Sequence, residues 1–302
     1  MKPTLLVMAA GMGSRYGWLK QVAWFGPSGE AIIDYSIYDA LRTGFGRVVI
    51  VVKKEMLHDM EEIFSKKLAP FVTVEYVIQD IGTLPGWFIS PPERVKQRGT
   101  THAVLAAKDI IHEPFAVINA DDFYGREAFQ AVADFLSGPE LNETSYTMFN
   151  NRLHNMMSEF WYVTRGICQV DEQWYLVGID ETTKVGKEGD AYFHEDDQWI
   201  KHPLDRNAIV NTNFRGFHPQ VFDFFEKSFL TFLHVHIQDL KAESVMAVLL
   251  EDLVKKWTIK IKVLWDDMPR FGITVPQDKQ IAIEKLQKMI SQWEYPASLW
   301  NK

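Results

Sequence analysis

Over its first 140 residues the sequence alternates two kinds of segment, and that alternation leaves few folds open. Short apolar, β-branched runs at Thr4–Met8, Arg47–Val52, Val72–Gln79 and Phe115–Asn119 read as strands. Arg47–Val52 is apolar at every position after the first, the pattern of a strand buried on both faces. Between the runs lie helix-like stretches. They are Ile33–Thr43, closed by Gly44, then Glu55–Lys67, Thr100–Ile111 with Thr100 or Thr101 as cap, and Arg126–Leu136. Strand and helix in this rhythm predict an α/β fold, a mostly parallel sheet flanked by helices on both faces.

Beyond about residue 140 the rhythm changes. Tyr146–Asn150, Trp161–Gln169 and Trp174–Ile179 read as strands, the last two around a turn at Asp171-Glu172-Gln173. Thr258–Leu264 alternates like a further strand, while Val221–Phe232, Ser244–Lys256 and Gln277–Trp293 read as helices. The polar stretch Thr183–Asp205, with Gly186 and Gly189, is expected to be a mobile loop or lid. His234-Val235-His236 reads as paired histidines on a strand face, without metal, because no third ligand lies nearby. No internal repeat or Pro/Ser-rich linker divides the chain, so one domain with a smaller antiparallel elaboration is expected.

Composition narrows the partners. The 302 residues are 47% hydrophobic, enough for a sizeable core. A net charge of −8 without a Lys/Arg block gives no face for nucleic acid. No stretch approaches the roughly 20 apolar residues of a membrane span, so no membrane partner is expected. The apolar start runs straight into glycines and reads as a buried strand rather than a leader. Cys168 is the single cysteine, so no intrachain disulfide forms, which suits the cytoplasm. Its place in an alternating stretch marks it as a small buried apolar side chain.

The sharpest motif is Ala9-Ala10-Gly11-Met12-Gly13-Ser14-Arg15 through Lys20, directly after the first strand. Ligands of open parallel sheets sit beyond the carboxyl ends of the strands. Glycines let backbone N–H groups approach phosphate oxygens. Arg15 can hold triphosphate oxygens bidentately and Lys20 adds a point charge. The spacing is not that of a Walker A loop, since no Gly-Lys-Ser/Thr follows. Nor is it a dinucleotide fingerprint: Tyr16 stands where the third glycine belongs, and the second strand ends in Lys53-Lys54 instead of an acid.

A second motif, Asn119-Ala120-Asp121-Asp122-Phe123-Tyr124-Gly125, puts two carboxylates just past an apolar strand. Mg²⁺ is held by one or two carboxylates plus phosphate oxygens and water, and Asp121 lies nearer the strand end. Gln79 ends the third strand, and an amide that donates and accepts suits a pyrimidine edge. Gly99-Thr100 opens a helix and would let a base or ribose pack on the backbone. His102 beside them reads as a helix-start residue with a satisfied hydrogen bond. Asn211-Thr212-Asn213 offers paired donors and acceptors for sugar hydroxyls, with Asn213 the candidate contact.

The glycine loop with Arg15 and Lys20, together with the Asp121 motif, resembles the sugar-phosphate nucleotidyltransferases, which include glucose-1-phosphate thymidylyltransferases and UDP-sugar pyrophosphorylases. The resemblance covers roughly residues 3–280 and implies a Rossmann-like core. It implies that Ala9, Ala10, Gly11, Met12, Gly13 and Ser14 cradle the triphosphate, with Arg15 and Lys20 catalytic. Gln79, Gly99 and Thr100 would then face the base, and Glu181 and Lys184, with Asn213, the sugar phosphate. Asp121 would hold Mg²⁺, with Asp267 standing in for a second metal Asp from a shifted position. Residues 1–140 would form the nucleotide-binding half of a single domain, and 141–302 the sugar-binding half with the C-terminal helices.

The chemistry implied is attack of a sugar 1-phosphate on the α-phosphorus of a nucleoside triphosphate, UTP or dTTP by the Gln79 match, with release of pyrophosphate. Two alternatives share the motifs: a cytidylyl- or guanylyltransferase acting on a non-sugar phosphate, and a non-catalytic nucleotide-binding regulator. A homo-oligomer stays open.

Overall fold

A computed structural model of the chain describes residues 1–11, 24–157, 161–268, 270–272 and 278–301. Four parallel strands form one half of the sheet: β1 (Thr4–Met8), β2 (Arg47–Val52), β3 (Thr73–Ile78) and β4 (Phe115–Asn119), in the order β3-β2-β1-β4. Strand alternation sends Leu5 and Val7 into one apolar layer and Leu6 and Met8 into the other. The first layer packs under helix α1 (Ile32–Arg42), with Ile33 and Ile37 buried, and under the Phe64 side of residues 54–68, which wind through 3-10, α and π turns. The second layer contains Val104 of the short helix α2 (Thr100–Leu105), with Phe222 and Phe225.

The chain crosses the sheet at β4. A two-residue strand β5 (Asp122–Phe123) and helix α3 (Arg126–Ser137) lead to β6 (Ser145–Arg152). Then come β7 (Val163–Val170), β8 (Leu176–Glu188), β9 (Ala191–Glu195), β10 (Lys201–Leu204) and β11 (Ile209–Phe217). β11 runs antiparallel to β4, with Phe217 opposite Phe115, and joins the two halves into one eleven-stranded sheet among the described residues. Helices α4 (Val221–His236) and α5 (Met246–Lys255) follow, then β12 (Lys260–Asp266), which pairs parallel with β6. β13 (Phe271–Gly272) pairs with β5, and helix α6 (Asp278–Ser291) comes last. The result is a mixed α/β architecture with a large central sheet flanked by helices.

Several expectations need correction. The stretch 183–205 is not a loop: β8 runs on to Glu188, and β9 and β10 pair as a further hairpin, Phe193 opposite both Gly186 and Pro203. Its charges hid the buried positions Val185 and Phe193, which are flanked by half-buried Lys184, Tyr192 and His194. β11 went unread as a strand because its inward positions include Thr212 and Arg215. His234 and His236 lie in the last turn of α4, not on a strand. The helix at Thr100 ends at Leu105, and its N-cap is Gly99 without a side-chain cap; the Thr100 hydroxyl accepts from the Met246 N–H instead (2.8 Å). Among the described residues no helix is long and apolar enough to cross a membrane.

Candidate functional site

The carboxyl ends of β1, β3 and β4 open on a cavity of about 220 Å³. It is lined by Met8, Gly11, Gln79, Gln97, Gly99, Thr100, Ala103, Asn119, Asp121 and Glu243. Five of these residues, Gly11, Gln79, Gly99, Thr100 and Asp121, were singled out in separate stretches of sequence, and the fold brings them to one crevice. The crevice lies beyond the strand ends, where parallel sheets bind ligands.

One end of the cavity is shaped around Gly99. Its φ of +92° is a left-handed conformation that favours glycine, and a Cβ there would collide with the backbone of Ser244. Gln79, 3% exposed, donates from Nε2 to the Gly99 carbonyl at 3.0 Å and lies 3.5 Å from His102 Nδ1. His102 stacks on Phe229 with ring centroids 5.0 Å apart. Burial lowers its pKa to about 4, so the imidazole is neutral near pH 7 and structural in character.

At the other end Asn119 closes β4 and Asp121 follows it. Asp122 takes a hydrogen bond from Asn119 Nδ2 at 2.9 Å and another from the Tyr124 hydroxyl at 3.5 Å. That tyrosine is fully buried, and desolvation beside Asp122 raises its pKa well above the usual value. Asp122 is thus built into the turn, while Asp121 faces the cavity. A single carboxylate beside amide oxygens fits Mg²⁺, which completes its shell with phosphate oxygens and water. No cluster of three His, Cys, Asp or Glu residues suited to a metal occurs among the described residues, so a cage made by protein alone is not present there.

Ala9 and Ala10 are buried at the end of β1, and the Ala9 N–H donates to the Val51 carbonyl at 2.9 Å. Met12, Gly13, Ser14, Arg15 and Lys20 lie outside the described residues. Glu181, Lys184, Asn213 and Asp267 do not line the cavity. Glu181 and Lys184 sit on β8, where Lys184 Nζ contacts Asp197 at 3.4 Å and lies 5.3 Å from the Trp199 ring centroid. Asn213, at φ +61°, accepts from Arg215 Nη1 at 3.0 Å. Asp267 pairs with His154 at 3.1 Å and accepts from Asn155 at 2.9 Å.

Sequence reasoning missed three polar cavity residues, Gln97, Asn119 and Glu243. Asn119 sat in the strand-end motif and could have been read with Asp121. Glu243 carried no local signal, since it reaches the cavity only through the tertiary fold.

No protein-family model and no curated protein matches the sequence. Solved structures do match the fold over nearly its whole length. A UDP-glucose pyrophosphorylase complexed with UDP-glucose is 15% identical, with TM-score 0.60, over 95% of this chain and 99% of the other. The inositol-1-phosphate CTP transferase from T. maritima is 14% identical, with TM-score 0.57, over 95% and 97%. A putative glucose-1-phosphate thymidylyltransferase from Bacillus anthracis, in complex with a sucrose, is 14% identical, with TM-score 0.60, over 93% and 94%. The chain has the fold of the sugar-phosphate nucleotidyltransferases.

Proposed function

We propose that this protein is a nucleotidyltransferase that joins a sugar 1-phosphate to a nucleoside triphosphate and releases pyrophosphate. The observation that carries this reading is the single crevice gathering Gly11, Gln79, Gly99, Thr100 and Asp121 at the strand ends. The likeness of fold to three enzymes named as acting on phosphorylated sugars or inositol supports it.

In this reading residues 1–140 hold the nucleotide and 141–302 the sugar phosphate. The base lies against Gly99, whose missing side chain lets the Ser244 backbone close up behind it. Gly11 and the loop after it take the triphosphate, Arg15 steadies its β- and γ-phosphates, and Lys20 holds the α-phosphate and the sugar phosphate. Asp121 would hold Mg²⁺, which neutralises charge on the phosphate oxygens when bound. A sugar-phosphate oxygen then bonds to the α-phosphorus, the bond from the α-phosphorus to the bridging oxygen breaks, and pyrophosphate leaves. The nucleophile is already anionic near pH 7, so positioning and charge neutralisation suffice and no general base is required. Glu181, Lys184 and Asn213 are assigned to the sugar phosphate, and Asp267 is assigned as the second residue that would hold the metal, from a shifted position.

The test is a pyrophosphate-release screen of nucleoside triphosphates crossed with sugar 1-phosphates in Mg²⁺. Release with one pair, lost in Lys20→Ala, is expected. A folded protein inactive with every pair would instead support a non-catalytic nucleotide-binding regulator, and wild-type turnover in Lys20→Ala would remove that residue from the mechanism.

A further inference from the structure

The wall of the cavity contributed by Glu243 comes from the connection between α4 and α5, which is stapled to residues 94–101. Arg94 donates to the Asp239 carbonyl at 2.6 Å and to the Ala242 carbonyl at 2.7 Å. The Ser244 N–H donates to the Arg98 carbonyl at 2.9 Å, and the Thr101 N–H to the Ser244 carbonyl at 3.1 Å. Lys96 Nζ pairs with Glu243 Oε2 at 2.7 Å. These bonds hold Glu243 beside Gln97 and Gly99, at the end of the cavity away from Asp121.

Two side chains at that end, Gln79 and Glu243, offer acceptors, beside the Lys96 ammonium that pairs with Glu243. Gln79 Nε2 is turned to the Gly99 carbonyl and the His102 ring, which leaves Oε1 as the amide's remaining group. Reversing the amide would set oxygen against the Gly99 carbonyl, an unfavourable contact between two acceptors. An ionised Glu243 carboxylate only accepts. Uracil and thymine present two carbonyl oxygens around one N–H, whereas cytosine, adenine and guanine each carry an exocyclic amino group. A carbonyl facing these oxygens is repelled, while an amino group satisfies them.

We propose that Glu243 is a base-reading residue of this site and that the nucleobase it reads carries an exocyclic amino group. The proposal rests on the nucleotidyltransferase reading and narrows its substrate. It departs from the preference for UTP or dTTP expected from Gln79, because the donor hydrogens of that amide face the protein.

The test is calorimetric titration of the full-length protein in Mg²⁺ with CTP, GTP, ATP, UTP and dTTP, repeated on Glu243→Gln and Lys96→Met. At least one of CTP, GTP and ATP should bind about 10-fold or more tighter than UTP and dTTP, the scale of one well-placed base contact. Glu243→Gln should reduce that ratio several-fold, and Lys96→Met, which leaves the carboxylate in place, should keep it. UTP or dTTP binding as tightly as the best of the others would overturn the proposal and leave the transferase reading standing. So would an unchanged ratio in Glu243→Gln. Absence of binding by all five would overturn both. The wild-type series decides the base class even where a variant fails to fold.

Discussion

Trp300 Nε1 donates to Asp34 Oδ1 at 2.9 Å, tying residue 300 to the helix that follows the glycine loop. Asp34 is wholly buried, and the same carboxylate takes the Ala31 N–H at 2.8 Å and pairs with Lys67 at 2.6 Å. The Trp300 ring packs edge-on to Tyr38, with centroids 5.8 Å apart. Trp300→Phe keeps an aromatic ring and removes the donor. It should cost about 2 kcal/mol, the scale of a hydrogen bond to a charged group, read as a lower urea midpoint with unchanged slope.

Asp39 on the same helix is buried and accepts from the Tyr295 hydroxyl at 2.7 Å and from Arg42. Burial pushes its pKa up to about 6. The folded protein therefore holds this proton more tightly than the unfolded chain, and the contribution of Asp39 to stability falls as pH rises from about 4 to about 6. Above that window the loss is complete. Asp39→Asn removes the titration, so the stability of the variant relative to wild type should rise across the window, by at most about 1.4 kcal/mol per pH unit, and then stay level. A difference that does not change between pH 4 and pH 6 would show that Asp39 titrates alike in both states.

Gly99 marks the point where the cavity admits no side chain. Gly99→Ala must hold a φ of +92° and push its Cβ against the Ser244 backbone. The strain alone is about 1–2 kcal/mol, and the collision adds to it. Unfolding at lower denaturant, together with weakened nucleoside triphosphate binding, is expected. Wild-type values for both would show that the Ser244 segment yields readily.

Asp121→Asn keeps the shape of the side chain and removes its charge. Pyrophosphate release should fall on the order of 100-fold, as for loss of a single charge-stabilising group in an active site. Higher Mg²⁺ should recover part of the loss. Undiminished release would move the metal away from Asp121.

Cys168 is 7% exposed, and burial pushes its thiol pKa up to about 12. Asn150 Nδ2 lies 3.3 Å from its sulfur. At pH 8 a thiol reagent should modify it only after denaturation, since the thiolate is the reactive form. Rapid stoichiometric labelling of the native protein would contradict this.

The parallel half of the fold was legible because three of its four strands, β1, β2 and β4, are buried on both faces and carry little besides apolar residues. Thr4–Met8, Arg47–Val52 and Phe115–Asn119 match their expected bounds. β11 was not, because burial there is reconciled with polarity by local bonds: Arg215, 1% exposed, donates to Asn213 at 3.0 Å and to Asn211 at 3.2 Å. Such pairings depend on the folded geometry and leave no periodic trace. The strand-end residues of the candidate site could be foreseen, since each follows an apolar run. Gln97 and Glu243 could not, because they meet only when residues 94–101 and 239–246 are brought together.

That last contact also orders events in time. A ribosome releases residue 99 long before residue 244, so the emerging amino-terminal half has its strand ends and its glycines but no back wall to the crevice. Under the proposed reading a nucleotide therefore has its full set of contacts only once residue 244 has been made, and it favours that longer chain over its shorter precursors.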